Sequence, residues 1–132
     1  MIAIDTSAIA AIALEEPEAE MFRRAISWQR AIVGAPTLVE SHFVLSGRMG
    51  GSHASAFVRN FLFPPDIRVV DFTAEMYAVA ADAFDRYGKG RGHRAQLNFG
   101  DCLAYAVAKA RDVPLLYKGT DFARTDIRPA LP

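Results

Sequence analysis

The chain has 132 residues, of which 52% are hydrophobic and 23% are charged, and this composition is ordinary for a globular domain and excludes a disordered chain. The 15 basic and 15 acidic residues balance, so attraction of nucleic acid to the whole molecule is excluded, and any such binding depends on local clusters. Cys102 is the only cysteine, which excludes an internal disulfide and a multi-cysteine zinc site.

No segment of the sequence resembles a signal peptide or a membrane anchor. Residues 1–4 lack a basic region and are followed at once by an aspartate, and no apolar run approaches the ~20 residues of a membrane-spanning helix. We therefore predict one domain over residues 1–132, located in the reducing cytoplasm and without a membrane partner.

Short apolar runs alternate with helical segments along the chain. The runs predict buried strands at Ile2–Ile4, Ile32–Ala35, Ile67–Phe72 and Pro114–Tyr117, with a last short strand starting at Ile127. Amphipathic spacing and glycine or proline stops predict helices over residues 6–14, 18–31, 38–48, 52–63, 74–87 and 100–111. This alternation predicts an α/β sandwich with a mainly parallel sheet of four to five strands.

Hydroxyl side chains at the helix starts predict the caps. We expect Thr6 or Ser7 to cap the first helix, Thr37 the third and Thr73 the fifth. Glu40 follows Thr37 at the spacing of a capping box, so a purely structural role in capping this helix is one interpretation of Glu40.

Acidic residues fall where strands end or helices begin, at Asp5, Glu40, Asp101 and Asp121. Ligands of parallel sheets bind at the carboxyl ends of the strands, where Asp5 and Asp121 are expected. Clustered carboxylates stay ionised most readily around a cation, and ligands that are all oxygen favour Mg²⁺ or Mn²⁺ over zinc. Such a metal activates water and stabilises charge on a phosphodiester, so the predicted chemistry is hydrolytic phosphoryl transfer.

Polar and basic residues near these acids have two interpretations each. Thr6, Ser7 and Asn98 are candidates for hydrogen bonds to metal-bound water or phosphate, and local capping explains each of them as well. The segment Gly88–Leu97 is predicted to be a surface loop that contacts phosphates of a substrate or is simply solvated. The candidate phosphate contacts are Lys89, Arg91, Arg94 and Lys118.

Several motifs in combination resemble those of a known family. They are Asp5-Thr6-Ser7-Ala8 after the first strand, Glu40 in the helix after Pro36-Thr37, Leu97-Asn98-Phe99-Gly100-Asp101-Cys102, and Lys118-Gly119-Thr120-Asp121-Phe122 through Thr125-Asp126. Together they resemble the PIN-domain ribonucleases, specifically the VapC-type toxins of bacterial toxin–antitoxin pairs, over essentially the whole chain.

The resemblance implies a PIN-like α/β/α sandwich and an endoribonuclease that depends on Mg²⁺, with Mn²⁺ as a substitute. It also implies an RNA substrate, a VapB-type antitoxin partner and a homodimer. Asp5 and Asp101 match the principal metal ligands of the family, and Glu40 matches the third acid. Thr120 departs from the family pattern, so Asp121 is the predicted fourth acid, with Thr120 and Asp126 as candidates for the outer shell.

Two other classes of protein remain as alternatives. A phosphate-relay receiver domain also has an acidic pocket in a parallel sheet and a lysine after a late strand, but no adjacent acidic pair follows the first strand here. A catalytically silent PIN-like interaction module is the other alternative, and metal-dependent cleavage separates it from a nuclease.

Overall fold

The computed structural model describes residues 1–132. Its elements in chain order are β1 (Ile2–Ile4), α1 (Thr6–Ala13), α2 (Ala19–Gln29), β2 (Ala31–Gly34), α3 (Ala35–Met49), α4 (Gly51–Phe61), β3 (Ile67–Val70), α5 (Ala74–Tyr87), α6 (Phe99–Ala110) and β4 (Leu115–Leu116). A 3-10 turn, Phe122–Arg124, follows β4. The strands form one sheet in the order β3-β2-β1-β4, and every pairing is parallel.

The sheet is covered by helices on both faces, because successive strand residues point to opposite sides. Ile2 and Ile4 of β1 pack in a cluster with apolar residues of α1 and α2, whereas Ala3 packs with α5 and α6 on the other face. The strands are buried on both faces, which is why they read as uninterrupted apolar runs. The predicted α/β/α sandwich with a parallel sheet is confirmed.

Two of the predicted caps are wrong. The N-cap of α1 is Asp5, whose side chain accepts a hydrogen bond from the Ser7 backbone N–H, in place of Thr6 or Ser7. The helix α3 begins at Ala35 with a proline in its first turn, so Thr37 lies inside the helix and Glu40 forms no capping box. The Thr73 cap of α5 is confirmed by its hydrogen bond from the Met76 N–H.

The predicted fifth strand is reduced to an isolated parallel bridge between Leu115 and Pro129. Leu115 donates its N–H to the carbonyl of Arg128 and accepts from the N–H of Ala130. Pro129 has no N–H to extend this pairing, which limits the bridge to a single residue. The other strands and helices are shifted by up to three residues from the predicted bounds. The helix α2 ends two residues early because Arg30 leaves the helical conformation with a φ of 60° before β2 begins.

The aromatic residues do not all lie in the core. Trp28 is 89% exposed and Phe63 is 88% exposed, whereas Phe57 and Phe61 are half-buried and stack on each other at 5.8 Å between ring centroids. Cys102 is buried in the core. None of the helices combines the length and the apolarity needed to cross a membrane.

Leu45 and Val44 are neighbours on α3 that differ in burial. Leu45 is fully buried, whereas Val44 is half-exposed. Leu45→Ala is expected to lower the free energy of unfolding by about 2–5 kcal/mol, because it leaves a cavity among packed side chains. The matched variant Val44→Ala is expected to cost less than about 1 kcal/mol. Chemical denaturation measures both, and equal losses would contradict the assignment of the inward face of α3.

Candidate active site

The site begins at the carboxyl ends of the central strands β1 and β4. Asp5 directly follows β1, and its backbone N–H donates to the carbonyl of Leu116 in β4 at 3.0 Å. The chain runs from β1 to β2 on one side, and β4 lies on the other side of β1. In parallel sheets the strand order reverses at such a point and leaves a crevice where ligands bind. Asp5 therefore occupies this switch point.

The carboxylate of Asp5 is 3% exposed and has one oxygen engaged and one free. Its Oδ2 accepts from the Ser7 N–H at 2.9 Å and from the Ser7 hydroxyl at 2.6 Å. The Ser7 hydroxyl in turn accepts from the Lys118 N–H at 3.0 Å, which connects β1 to the loop after β4. Asp5 Oδ1 is buried and has no hydrogen-bond partner. A buried anionic oxygen without a partner is costly, so this atom is suited to a cation.

Asp101 is held in the first turn of α6 by a capping box. The Asn98 side chain accepts from the Asp101 N–H at 2.8 Å, and Asp101 Oδ2 accepts from the Asn98 N–H at 3.1 Å. Asn98 therefore acts as the N-cap of α6. This local structure fixes the Asp101 side chain in a defined orientation at the helix N-terminus, which also favours a negative charge.

Glu40 is oriented by α1 across the site. Its Oε1 accepts from the Thr6 hydroxyl at 2.5 Å, and Thr6 is in turn hydrogen-bonded by the buried Ser41 hydroxyl at 3.3 Å. Its Oε2 lies so close to Gly100 that a Cβ on that residue would be 1.8 Å from it. Gly100 is therefore needed for the close approach of α3 to the start of α6.

Burial, with a contribution from neighbouring negative charges, raises the pKa values of Asp5 and Asp101. Burial raises the pKa of Asp5 to about 7, the hydrogen bonds from Ser7 oppose this, and the charges of Asp101 and Glu40 add to it. Burial likewise raises the pKa of Asp101 to about 6. The hydrogen bond from the Asn98 backbone lowers this pKa, and the charges of Asp121 and Glu40 raise it further. The structure thus brings the predicted acids together around Asp101, and no basic side chain neutralises the pair formed by Asp5 and Asp101.

Thr120 and Asp121 lie exposed in the loop after β4, at the rim of the site. Asp126 lies further along the same loop, and its carboxylate accepts from the Tyr105 hydroxyl at 2.6 Å and from Lys109 at 3.1 Å. These donors hold Asp126 apart from the other acids. Between the two candidates for the fourth acid, the geometry therefore favours Asp121.

The residues fit a divalent metal in their chemistry. The donors are all carboxylate oxygens, and Asp5 Oδ1 is an unpartnered buried oxygen. However, no group of three or more His, Cys, Asp or Glu side chains is arranged to hold a metal ion. Mg²⁺ usually keeps several waters and binds through about one or two carboxylates, so Asp5 and Asp101 together meet its requirement.

The candidate RNA-binding cations differ in their surroundings. Lys89, Arg91 and Arg94 are exposed in the loop after α5. The two ends of this loop, Gly88 and Leu97, are buried and form a parallel bridge with each other. Lys118 forms ion pairs with Glu16 at 2.9 Å and Glu18 at 3.2 Å, so its charge is locally balanced.

Sequence reasoning missed several residues that shape the site. Gly100 was not singled out as a close-approach glycine, although a glycine in the first turn of a good helix is a detectable signal. Ser41, which supports Thr6, and Tyr105, which holds Asp126, carried no signal, because their partners are distant in sequence.

Comparison with known proteins identifies the class to which this fold and site belong. The PIN domain family matches residues 2–128. Ribonuclease VapC36 of Mycobacterium tuberculosis is 42% identical over 126 residues, which covers 94% of this chain and 89% of the relative. Ribonuclease VapC42 of the same species is 39% identical over 128 residues, which covers 96% and 97%. The chain belongs to the PIN domain family as a VapC-type member, which excludes the receiver-domain alternative.

Solved structures share the fold at lower sequence identity. Mycobacterium tuberculosis VapC20, described as a toxin that cleaves the sarcin-ricin loop, has a TM-score of 0.75 at 20% identity and covers 96% of each chain. VapBC2 from Rickettsia felis, bound to a DNA fragment from its promoter, has a TM-score of 0.77 at 15% identity, with 98% of this chain and 96% of that chain covered. FitAcB from Neisseria gonorrhoeae has a TM-score of 0.69 at 18% identity, with the same coverages.

A glycine substitution tests the approach of Glu40 to α6. Alanine normally stabilises a helix relative to glycine by about 0.5–1 kcal/mol, and Gly47→Ala on α3, where a Cβ meets nothing within 4 Å, is expected to do so. Gly100→Ala is expected instead to lower the free energy of unfolding by about 1–3 kcal/mol, because Glu40 must move and give up its bond from Thr6. Urea denaturation measures both, and a stabilised Gly100→Ala protein would refute the close contact.

The raised pKa of Asp5 predicts how stability depends on pH. The folded protein holds this proton up to about pH 7, whereas the ordinary pKa of an aspartate is 3.8. The metal-free protein should therefore lose stability as pH rises from 4 to 7, by on the order of 4 kcal/mol.

Asp5→Asn should reduce this dependence to the smaller part that comes from the raised pKa of Asp101, because asparagine keeps the helix cap and cannot ionise. Asp112→Asn, at an exposed aspartate just after α6, is the control and should retain the slope. Unfolding curves recorded in chelator across this pH range are the measurement, and a wild-type slope in Asp5→Asn would contradict the assignment.

Proposed function

We propose that the chain is an endoribonuclease toxin that hydrolyses RNA phosphodiester bonds and depends on Mg²⁺, with Mn²⁺ as a substitute. The observation that carries the proposal is the buried Asp5, whose free Oδ1 lies in a site shared with the unneutralised carboxylate of Asp101. The names of the relatives, which are ribonucleases, support the same activity.

In this proposal Asp5 and Asp101 hold the metal, with Thr6, Ser7 and Asn98 around them as orienting groups. When bound, the metal lowers the pKa of a water and offsets the charge that develops on the phosphodiester. Glu40 and Asp121 are the other catalytic acids. Glu40 has Oε1 fixed by Thr6, so its Oε2 is the atom assigned to accept a proton from the attacking water.

The RNA backbone is proposed to run along the loop after α5. Lys89, Arg91 and Arg94 are exposed there, and this loop leads directly to Asn98 and Asp101. Phosphate contacts of this kind position a nucleic acid without reading its sequence. Lys118 is a weaker candidate, because Glu16 and Glu18 balance its charge and tie it to the turn before α2.

The proposed partner is a VapB-type antitoxin, and the proposed assembly is a homodimer in the cytoplasm. VapBC2 from Rickettsia felis, FitAcB from Neisseria gonorrhoeae and a toxin–antitoxin complex from Klebsiella pneumoniae all share the fold. Exposed large apolar side chains, such as Trp28, Phe43 and Phe99, supply surface that a protein partner would bury.

A catalytically silent interaction module is the second candidate function. The observation in its favour is that no group of three or more acids is arranged to hold a metal ion. Both candidates predict a folded protein that binds an antitoxin, and only the nuclease predicts cleavage.

The test is cleavage of total cellular RNA by antitoxin-free protein with Mg²⁺, with Mn²⁺ and with a chelator. Wild type should produce discrete fragments with either metal and none with the chelator. Asp101→Asn should reduce the rate by about 100-fold or more, because it removes a charge that holds the metal. The exposed Asp112, which pairs with Arg128 at 2.9 Å, provides the matched control Asp112→Asn, which should cleave at the wild-type rate.

Intact RNA from a folded wild-type sample under both metals, tested on structured RNAs as well, would favour the silent module. Cleavage that persists in the chelator, or in Asp101→Asn, would instead remove the metal-dependent mechanism and point to contaminating nuclease or to different chemistry.

A further inference from the structure

Asp126 is held by three side chains from two helices. Its carboxylate accepts from the Tyr105 hydroxyl at 2.6 Å and from the Lys109 ammonium at 3.1 Å, both on α6. Arg86, near the end of α5, lies 3.6 Å from the same carboxylate and also donates to the Tyr87 hydroxyl at 2.6 Å. We call Tyr105, Lys109 and Arg86, with the Asp126 they hold, the Asp126 clamp.

The clamp lies on the stripe of α6 that also carries Asp101. Asp101, Tyr105 and Lys109 are spaced four residues apart, so they project from one face of the helix. Asp126 binds this stripe at Tyr105 and Lys109, and the charge of Asp121, five residues earlier in the same loop, acts on Asp101. The loop after β4 therefore contacts this helix face at Asp126 and brings the charge of Asp121 near Asp101.

The chain between Asp121 and Asp126 is restrained by its own packing and hydrogen bonds. The Phe122 side chain is buried with its ring 5.1 Å from that of Tyr117, and the Thr125 hydroxyl donates to the Phe122 carbonyl at 2.7 Å. Arg124 donates to the backbone carbonyl of Arg94 in the loop after α5 at 3.1 Å. A shift of Asp126 along α6 is therefore expected to move Asp121 as well.

We infer that Asp126 is a positioning residue, which through its contacts with Tyr105, Lys109 and Arg86 fixes the loop that presents Asp121 to Asp101. The inference rests on the proposed nuclease function. It differs from the sequence-based prediction of Asp126 as an outer-shell acid, because the donors of the clamp already occupy both of its oxygens. Asp126 acts on the reaction only through Asp121.

A double-mutant cycle tests this dependence. Asp126→Ala should lower kcat for RNA cleavage by about 10–100-fold with KM little changed, because a catalytic group is misplaced while the exposed RNA-binding loop remains. Tyr105→Phe keeps the ring and removes the hydroxyl, so it should lower kcat in the same direction by less. The double variant Asp121→Asn with Asp126→Ala should be no slower than Asp121→Asn alone. Glu20→Ala removes an exposed carboxylate that pairs with Arg24 on α2 at 3.2 Å and is the control.

A second measurement needs no metal and no cleavage. In chelator, hydrogen exchange of the loop amides, including Thr125 N–H, which donates to the Phe122 carbonyl at 3.0 Å, should be faster in Asp126→Ala and Tyr105→Phe. Asp121→Asn and Glu20→Ala should exchange at the wild-type rate in this loop, because neither residue contributes to the clamp.

The inference is overturned if the fold-loss in kcat of the double variant equals the product of the losses in the two single variants, because Asp126 would then act independently of Asp121. Wild-type kcat and wild-type exchange in both clamp variants would also overturn it. A wild-type protein that cleaves no RNA refutes the proposed function instead, and the exchange measurement still decides whether the clamp orders the loop. If Asp126→Ala does not fold, Tyr105→Phe alone carries both measurements.

Discussion

The structure depends on a buried carboxylate that the protein itself does not neutralise. Asp5 sits where β1 ends between two neighbouring strands, with Ser7 bound to one oxygen and nothing bound to the other. Keeping this charge inside the protein requires either a proton or a cation. The surrounding features, which are the capping box of Asp101, the glycine beside Glu40 and the loop that carries Asp121, bring further negative charge to the same place instead of relieving it.

Much of the fold was predictable because its signals are local. A strand buried on both faces has an uninterrupted apolar sequence, and a helix has a period of its own, so the α/β/α order could be predicted without any tertiary contact. Asp5 and Asp121 were correctly expected beyond the ends of strands, because the carboxyl ends of parallel strands share one edge. Thr73 was identified as a cap from its position alone.

The remaining features depend on contacts between residues far apart in sequence. Glu40 fits a capping box by spacing, but α3 begins at Ala35, three residues earlier than expected, and the partner of Glu40 is Thr6 on another helix. Asp126 was a sequence-based candidate for the outer shell of the metal site, yet Tyr105 and Lys109 from α6 bind its carboxylate. Trp28 is exposed on α2, and sequence spacing does not reveal which helix face a neighbour covers.

The engaged oxygen of Asp5 also bears on ion selectivity. Ser7 occupies Oδ2 with two hydrogen bonds, so Asp5 has only Oδ1 to offer and would be a monodentate ligand. Ca²⁺ takes about 6–8 oxygen ligands and often uses both oxygens of one carboxylate, whereas the smaller Mg²⁺ needs an octahedral set and retains its waters. In the proposed metal site, the serine bound to Asp5 would thereby limit this carboxylate to one ligand oxygen, which would disfavour calcium relative to magnesium.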